Sequence, residues 1–310
     1  MAPGGNDGGA LGLVADQPEI FALGNASIDV TLNVPRLPVA GETLIASGMR
    51  RAPGGKGLNQ AVMAARAGAR VRFCAPLGPE PEAALVRQAL AAEPFARLEL
   101  LETDCPTDLS TLMVGADGEN MIVSTGDCAA GVTPDRALAF ITRMRATDWL
   151  LVQGNLTEAA TWAAVARARK VMFNTAPIRW HSARILAAAT VVVANQGEAE
   201  AITGERDPSQ AAARLGGAIG IVTLGAGGCV VARGEQMFHL PAPRVHPVDS
   251  SGAGDVFCGV LAAGLAGGSA LEAAIGHAQA AAALAVSRAG CFTAFPDAAE
   301  LQAILRPPRS

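Results

Sequence analysis

VHPVDSSGAGDVFCGVL, residues 245–261, changes character twice. A strand-like stretch runs into Gly252-Ala253-Gly254, and an apolar run of helix length follows at once. Asp255 stands where that helix would begin, and Asp249 lies six residues earlier. A helix N-terminus presents unpaired N–H groups and a partial positive charge. On one account Asp255 merely stabilises the first turn, by a few tenths to about 1 kcal/mol. The glycines support a second account. Gly252 and Gly254 let the backbone come close to a ligand, and exposed N–H groups there can hold developing negative charge. An acid at that spot can take a proton from a hydroxyl, which is what phosphoryl transfer to an alcohol needs.

Outward from this segment, short apolar runs of strand length alternate with Ala-rich helical stretches. The runs are EIFALGN (19–25), RVRFCAP (70–76), DWLLVQGN (148–155), KVMFNTAP (170–177), TVVVAN (190–195) and AIGIVTLG (218–225). The spacing predicts helices at about 56–67, 81–93, 134–145, 157–169 and 198–215. Repeated β-then-α order indicates an α/β fold, a mostly parallel sheet between two helical layers. In such sheets ligands gather beyond the carboxyl ends of the strands, where Asn25, Asn155, Asn174, Asn195 and Thr223 stand. Two segments break the rhythm. Residues 29–55 and 108–127 read as strands and turns without a helix, and Asp117-Gly118 is a hairpin signal. Pairing of these segments above the ligand edge would make a small β-sheet lid.

Bulk properties bound the answer. The chain has 310 residues, half of them apolar, enough for one large α/β domain. A formal net charge of −4 without a basic run argues against nucleic acid or an acidic membrane as partner. No stretch of ~18 uninterrupted apolar residues is present to span a bilayer. Residues 1–18 lack the regions of a signal peptide and read as a flexible tail before a domain at 19–305. The six cysteines are scattered without a C-x-x-C pair, and the four histidines show no zinc spacing, which predicts a soluble, cytoplasmic protein.

A second glycine cluster sharpens the chemistry. RRAPGGKGLNQAVMAARAG (50–68) sets Gly54, Gly55, Lys56 and Gly57 before a helix whose first turn carries Asn59 and Gln60. It is neither a Walker loop, since no Ser or Thr follows the lysine, nor a dinucleotide fingerprint. Its amides and its Lys and Asn side chains suit a hydroxylated ligand, although an exposed helix cap would read alike. Together, GGKGLNQA at 54–61 (with Gly68 and Gly78), NQGE at 195–198, TLGAGG at 223–228 and DSSGAGD at 249–255 resemble the ordered motifs of the ribokinase-like (PfkB) family of carbohydrate and nucleoside kinases. The resemblance covers about residues 20–305, and the pattern is nearest to the ribose-phosphorylating members.

The resemblance implies a three-layer α/β/α sandwich with a β-lid that commonly pairs with a second subunit's lid, giving a homodimer. It implies that Asp255 is the catalytic base, with the amides of Gly252, Ala253 and Gly254 as the anion hole. Asn195 and Glu198 would lie near the phosphates and organise Mg2+, largely through water, as suits a hard cation. Without the other motifs, Glu198 reads as a first-turn acid. Thr223, Gly225 and Gly228 would line the ATP pocket, and Gln279 stands where the family often has a histidine near adenine. A monovalent cation, K+, would take the Asp249 carboxylate and the carbonyls of Ser251, Val286, Ala289 and Cys291. Ala294 falls where a serine ligand is common, and it has no side-chain oxygen to offer.

On the sugar side, Asp29, Gly55, Lys56 and Asn59 match the family's substrate wall. Two positions depart: Ser27 replaces an Asn, and Asn155 replaces a Glu that ends the strand LLVQGN. An amide for a carboxylate removes a charged acceptor and adds a donor, a change that shifts specificity. STGDC (124–128) replaces the more usual G-A-N run. The default reading is thus ATP-dependent phosphorylation of a sugar hydroxymethyl group, D-ribose to D-ribose 5-phosphate. The alternatives are a nucleoside of adenosine or pseudouridine type and a 2-keto-3-deoxy sugar acid. For an acid, Lys56, Arg50 and Arg51 are the candidate cations. A non-catalytic sugar or nucleotide sensor is the reading from another class. An NAD-linked dehydrogenase is disfavoured, because GNASID follows the first strand in place of a glycine fingerprint.

Overall fold

The computed structural model describes residues 17–116 and 119–306; most of the expected tail and the Asp117-Gly118 turn lie outside them. The strands are β1 (Glu19–Leu23), β2 (Ser27–Val34), β3 (Gly48–Gly54), β4 (Arg70–Leu77), β5 (Arg97–Glu102), β6 (Asp108–Gly115) and β7 (Asn120–Ser124), then β8 (Trp149–Gln153), β9 (Val171–Asn174), β10 (Val191–Asn195), β11 (Ile219–Thr223), β12 (Cys229–Arg233) and β13 (Gln236–Leu240). The helices are α1 (Lys56–Arg66), α2 (Ala83–Ala91), α3 (Asp127–Ala130), α4 (Pro134–Ile141), α5 (Glu158–Val165) and α6 (Ala183–Ala188), then α7 (Gln196–Thr203), α8 (Pro208–Arg214), α9 (Ala253–Ala266), α10 (Leu271–Val286) and α11 (Ala298–Leu305).

A nine-stranded sheet in the order β13-β12-β11-β10-β9-β8-β1-β4-β5 forms the middle layer among the described residues. All its pairings from β11 to β5 are parallel, while β12 and β13 add an antiparallel edge. Strands buried on both faces need apolar residues throughout, not alternately. β1, β8 and β9 are buried at every position. Their side chains still divide by face. Ile20, Ala22, Leu151, Val191 and Val193 pack with α1, α9 and α10. Phe21, Leu23, Leu150, Val192 and Ala194 pack against residues of α4, α5 and α8. A separate four-stranded sheet, β3-β2-β6-β7, unites the two helix-free segments, with β2 and β6 parallel and the outer pairs antiparallel.

The expected helix over 198–215 is two helices. Gly204 closes α7 in the left-handed conformation (φ 75°), and Asp207 caps α8 through the Ser209 and Gln210 amides, with Pro208 at its first position. The spacing does not announce the outer strands β5, β12 and β13: β5 and β13 are only partly buried and mix polar with apolar residues, and β12 is a short run, CVVAR, directly after a glycine-rich turn.

Two helices on one face approach very closely. A Cβ on Gly259 of α9 would sit 2.5 Å from the Gln60 carbonyl oxygen and 2.6 Å from the Met63 Cβ of α1. Glycine there lets the α1 backbone lie against α9, which puts Asn59 and Gln60 beside Asp255. Gly259→Ala is expected to push the helices apart, costing about 1–3 kcal/mol by urea unfolding and lowering turnover as well. Wild-type stability in that variant would show that the crossing tolerates a methyl group.

Candidate active site

The chain runs from β1 outward to β4 and β5, then returns to the far side of β1 to build β8 through β11. The strand order therefore reverses between β1 and β8, and an α/β sheet opens a crevice beyond the carboxyl ends at such a point. A cleft of about 540 Å³ lies there, bounded by residues after β1 and β8, by the small sheet and by the start of α9. Ser27, Asp29, Gly55, Lys56, Asn59, Asn155, Ser251, Gly252, Asp255 and Cys291 all line it. The structure thus brings the whole expected sugar wall and the expected base into one cavity.

Asp255 is buried in the first turn of α9. Each carboxylate oxygen receives a side-chain amide from α1: Oδ2 from Asn59 Nδ2 at 3.0 Å, and Oδ1 from Gln60 Nε2 at 2.9 Å. Gly252 precedes the helix at φ 77°, and a Cβ there would strike the Cys291 thiol and the Phe295 ring, so both conformation and space demand glycine. The Ala253 amide reaches the Ser250 carbonyl at 3.3 Å, whereas no acceptor among the described residues takes the Gly252 or Gly254 amide. The space over Gly254 is open to 4 Å. Free amides, open space and a positive helix end make an anion-holding niche beside the acid.

On the opposite wall, Ser27 Oγ donates to Asp29 Oδ1 at 2.9 Å. Burial pushes the Asp29 carboxyl up to about 6, aided by the Asp255 charge and opposed by hydrogen bonds from Ser27 and Ser110. The Asp255 carboxylate, joined by Glu198, holds the Lys56 ammonium above the ordinary lysine range against the effect of burial. Two amide oxygens of this cleft, Asn59 Oδ1 and Asn155 Oδ1, are buried without a hydrogen-bond partner. Buried acceptors are rarely left so, and a ligand rich in hydroxyl donors would satisfy both.

One lining residue had no signal in the sequence. Arg179, in the loop after β9, donates from Nη1 to the Asn155 carbonyl at 2.7 Å and stands beside Gly126. Arg50 and Arg51, the arginines expected near an acidic substrate, lie exposed on β3 and do not line the cleft. Asn174 was legible only as a polar strand end and Gln153 carried no signal of its own; the fold links both to Asp255 through Gln60.

The expected nucleotide residues lie along the adjoining strand ends. Asn195 and Glu198 form a capping box on α7, and Thr175 Oγ1 donates to Glu198 Oε2 at 2.9 Å. Both readings of Glu198 are therefore compatible: a first-turn acid whose two oxygens are engaged can meet a cation through water. Thr223 ends β11, Gly225 follows it, and Gly228 packs against the Leu240 carbonyl. Gln279 Nε2 donates to that same carbonyl at 2.9 Å. Asp249 ties two loops together, accepting from the Ser251 amide at 2.9 Å and the Gly290 amide at 3.0 Å. The Val286 carbonyl accepts from the Val248 and Asp249 amides, and Ala289 and Cys291 follow in the adjoining turn. The carboxylate and nearby carbonyls are hard oxygen donors of the kind an alkali cation takes.

The pfkB family carbohydrate kinase description matches residues 17–298. The ribokinase of Bacillus subtilis is 30% identical over 291 residues, covering 92% of this chain and 99% of the relative. Among solved structures, the Thermotoga maritima ribokinase superposes with a TM-score of 0.84 at 28% identity, over 93% of this chain and 99% of that one. The Arabidopsis thaliana ribokinase, solved with ribose and ATP, gives 0.80 at 25% identity, over 94% and 99%. A cleft with a buried acid at a glycine-lined helix end, a match across nearly the whole chain and a shared fold agree: this chain belongs to the pfkB family of carbohydrate kinases, phosphotransferases that act on an alcohol group.

Proposed function

We propose that the protein transfers the γ-phosphate of ATP to the hydroxymethyl group of a small sugar, D-ribose giving D-ribose 5-phosphate. The observation that carries this is Asp255, buried at the amide-lined start of α9 in the same cleft as Asp29 and the unpartnered Asn59 oxygen. Asp255 accepts the hydroxyl proton as the sugar oxygen bonds to the γ-phosphorus and the bond to the ADP oxygen breaks. The Gly252, Ala253 and Gly254 amides steady the charge on the moving phosphoryl group. Ser27, Asp29, Gly55, Lys56, Asn59 and Asn155 hold the sugar, while Asn195, Thr223, Gly225, Gly228, Gly254 and Gln279 border the nucleotide. Mg2+, held through water near Glu198, would neutralise phosphate charge. K+ at Asp249 and the carbonyls of Ser251, Val286, Ala289 and Cys291 would add positive potential beside the anion hole.

A second reading, a 2-keto-3-deoxy sugar acid, is favoured by one feature: the Arg179 guanidinium lines the sugar cleft and makes no ion pair among the described residues. We further propose a homodimer through the small sheet and a cytoplasmic location. Ile45, Met49, Ile122 and Val123 are more than half exposed on the small sheet and its connecting loop, and such apolar surface suits a second copy. All six cysteines are free, as a reducing compartment would leave them. Among the described residues no helix is long and apolar enough to cross a membrane.

ADP release with MgATP decides the chemistry, using ribose, deoxyribose, fructose, 2-keto-3-deoxygluconate, adenosine and pseudouridine, each in K+, Na+ or a large organic cation. Ribose turnover that falls about 10²–10⁴-fold in Asp255→Asn, with ATP still bound, supports the proposal. Near-normal turnover in that variant removes Asp255 as base. Preference for the sugar acid, lost in Arg179→Ala, selects the second reading, and turnover of a nucleoside overturns both. Silence across the panel with ATP bound favours a sensor. Asp249→Ala is expected to abolish K+ activation; equal wild-type rates in all three cations refute the cation site. Sedimentation velocity at micromolar concentration is expected to give a dimer that becomes monomeric in Ile122→Lys. A monomeric wild type overturns the dimer.

Asp29 carries a pH signature. Its folded value of about 6 lies above the unfolded carboxylate value, so the folded chain binds this proton more tightly. The stability it contributes is full below about pH 4 and is lost as pH rises through about 6. Asp29→Asn is expected to gain on the order of 1–3 kcal/mol at pH 7 relative to pH 4, while losing sugar affinity. Urea unfolding at the two pH values measures it, and an equal effect at both would show an Asp29 that titrates normally.

A further inference from the structure

We infer that Gln60 is a positioning residue for Asp255, the end of a buried amide relay whose direction is set by the main chain of the central sheet. The inference rests on the reading of Asp255 as the base. Gln60 has no exposed surface. Its Nε2 donates both to Asp255 Oδ1 at 2.9 Å and to Asn174 Oδ1 at 3.0 Å, and its Oε1 accepts from Gln153 Nε2 at 2.9 Å. Asn174 Nδ2 in turn donates to the Val193 backbone carbonyl at 3.1 Å.

That carbonyl can only accept, so it fixes the orientation of every amide that follows. Asn174 must turn its nitrogen to Val193 and its oxygen to Gln60. Gln60 must then turn its nitrogen toward Asn174 and Asp255, leaving its oxygen for the Gln153 nitrogen. A flipped Gln60 would set its oxygen against both the carboxylate and the Asn174 oxygen. The relay thus delivers a fixed donor to Asp255 Oδ1, favouring the ionised carboxylate and fixing the plane in which its oxygens meet the substrate hydroxyl. Gln153 has room beneath the site only because residue 24 is glycine, where a Cβ would lie 2.4 Å from Gln153 Oε1.

Other charged and titratable groups around Asp255 are Lys56 on α1, Asp29 on β2, Glu198 on α7, Cys258 on its own helix and Cys291 in the following loop. All remain when Gln60 is replaced, so a shift on replacement reports the relay.

The test is the pH dependence of kcat/KM for D-ribose, or for the panel compound that is turned over, at saturating MgATP. In Gln60→Leu the acid limb is expected to move up by about one pH unit, with plateau kcat down roughly tenfold and KM for the sugar nearly unchanged. Gln153→Leu, which touches neither Asp255 nor the cleft, is expected to move the limb the same way by less, and it carries the test if Gln60→Leu does not fold. Thermal unfolding and ATP binding identify folded variants. Acid limbs that coincide with wild type in the folded variants overturn the inference while an inactive Asp255→Asn leaves the base standing. An active Asp255→Asn instead removes the base, and the inference with it.

Discussion

The Asp255 carboxylate has to be withdrawn from water and still remain an ionised, oriented acceptor, and much of the molecule is arranged around that requirement. An unpaired buried carboxylate takes up a proton, because desolvation penalises the charged form. Two amide donors from α1 and the positive end of α9 offset that penalty here. The two amide contacts depend on the close crossing of α1 and α9 at Gly259. Catalytic geometry and core packing are in this sense one arrangement: the contact that buries the apolar faces of two helices also brings the acid to its partners.

The central sheet supplies the floor. Its inner strands β1, β8, β9 and β10 are apolar between their ends because both faces are covered, so polar side chains are tolerated there only where strands end. Gln153 and Asn174 occupy the last positions of β8 and β9, beside the point where strand order reverses. The small sheet closes the cleft from above with Asp29 and Ser27. The Asp255 charge adds to the cost of ionising Asp29, and the Lys56 ammonium relieves part of it. Such a site is less stable empty than an apolar one of the same shape. Strain of that kind belongs at a binding site, where a ligand's hydroxyl donors can satisfy acceptors such as the Asn59 and Asn155 oxygens.

Much of this was legible in the sequence, and the exceptions share a cause. Apolar runs bounded by glycine and asparagine announced the parallel sheet, and the glycine-flanked Asp255 announced a helix end fit for an anion. Those features are local: a backbone that needs positive φ or a close approach selects glycine wherever it occurs, and a helix start has its own composition. The break between α7 and α8 was also written locally, in Gly204 and Pro208, although the Ala-rich periodicity on either side concealed it.

Tertiary structure alone decided which distant residues meet. No spacing rule connects Gln60 with Gln153 and Asn174, or Arg179 with the Asn155 carbonyl, since these contacts cross helices and strands far apart in the chain. Arg50 and Arg51 were the arginines the sequence offered for an acidic ligand, but β3 is uncovered along this stretch and leaves both in solvent. The sequence by itself determined the chemistry available at each helix start and strand end, because those preferences act within a few residues. The order of strands across the sheet and the crossing of α1 with α9 decided which of those groups face one another, because long-range packing, not local preference, sets distances between them.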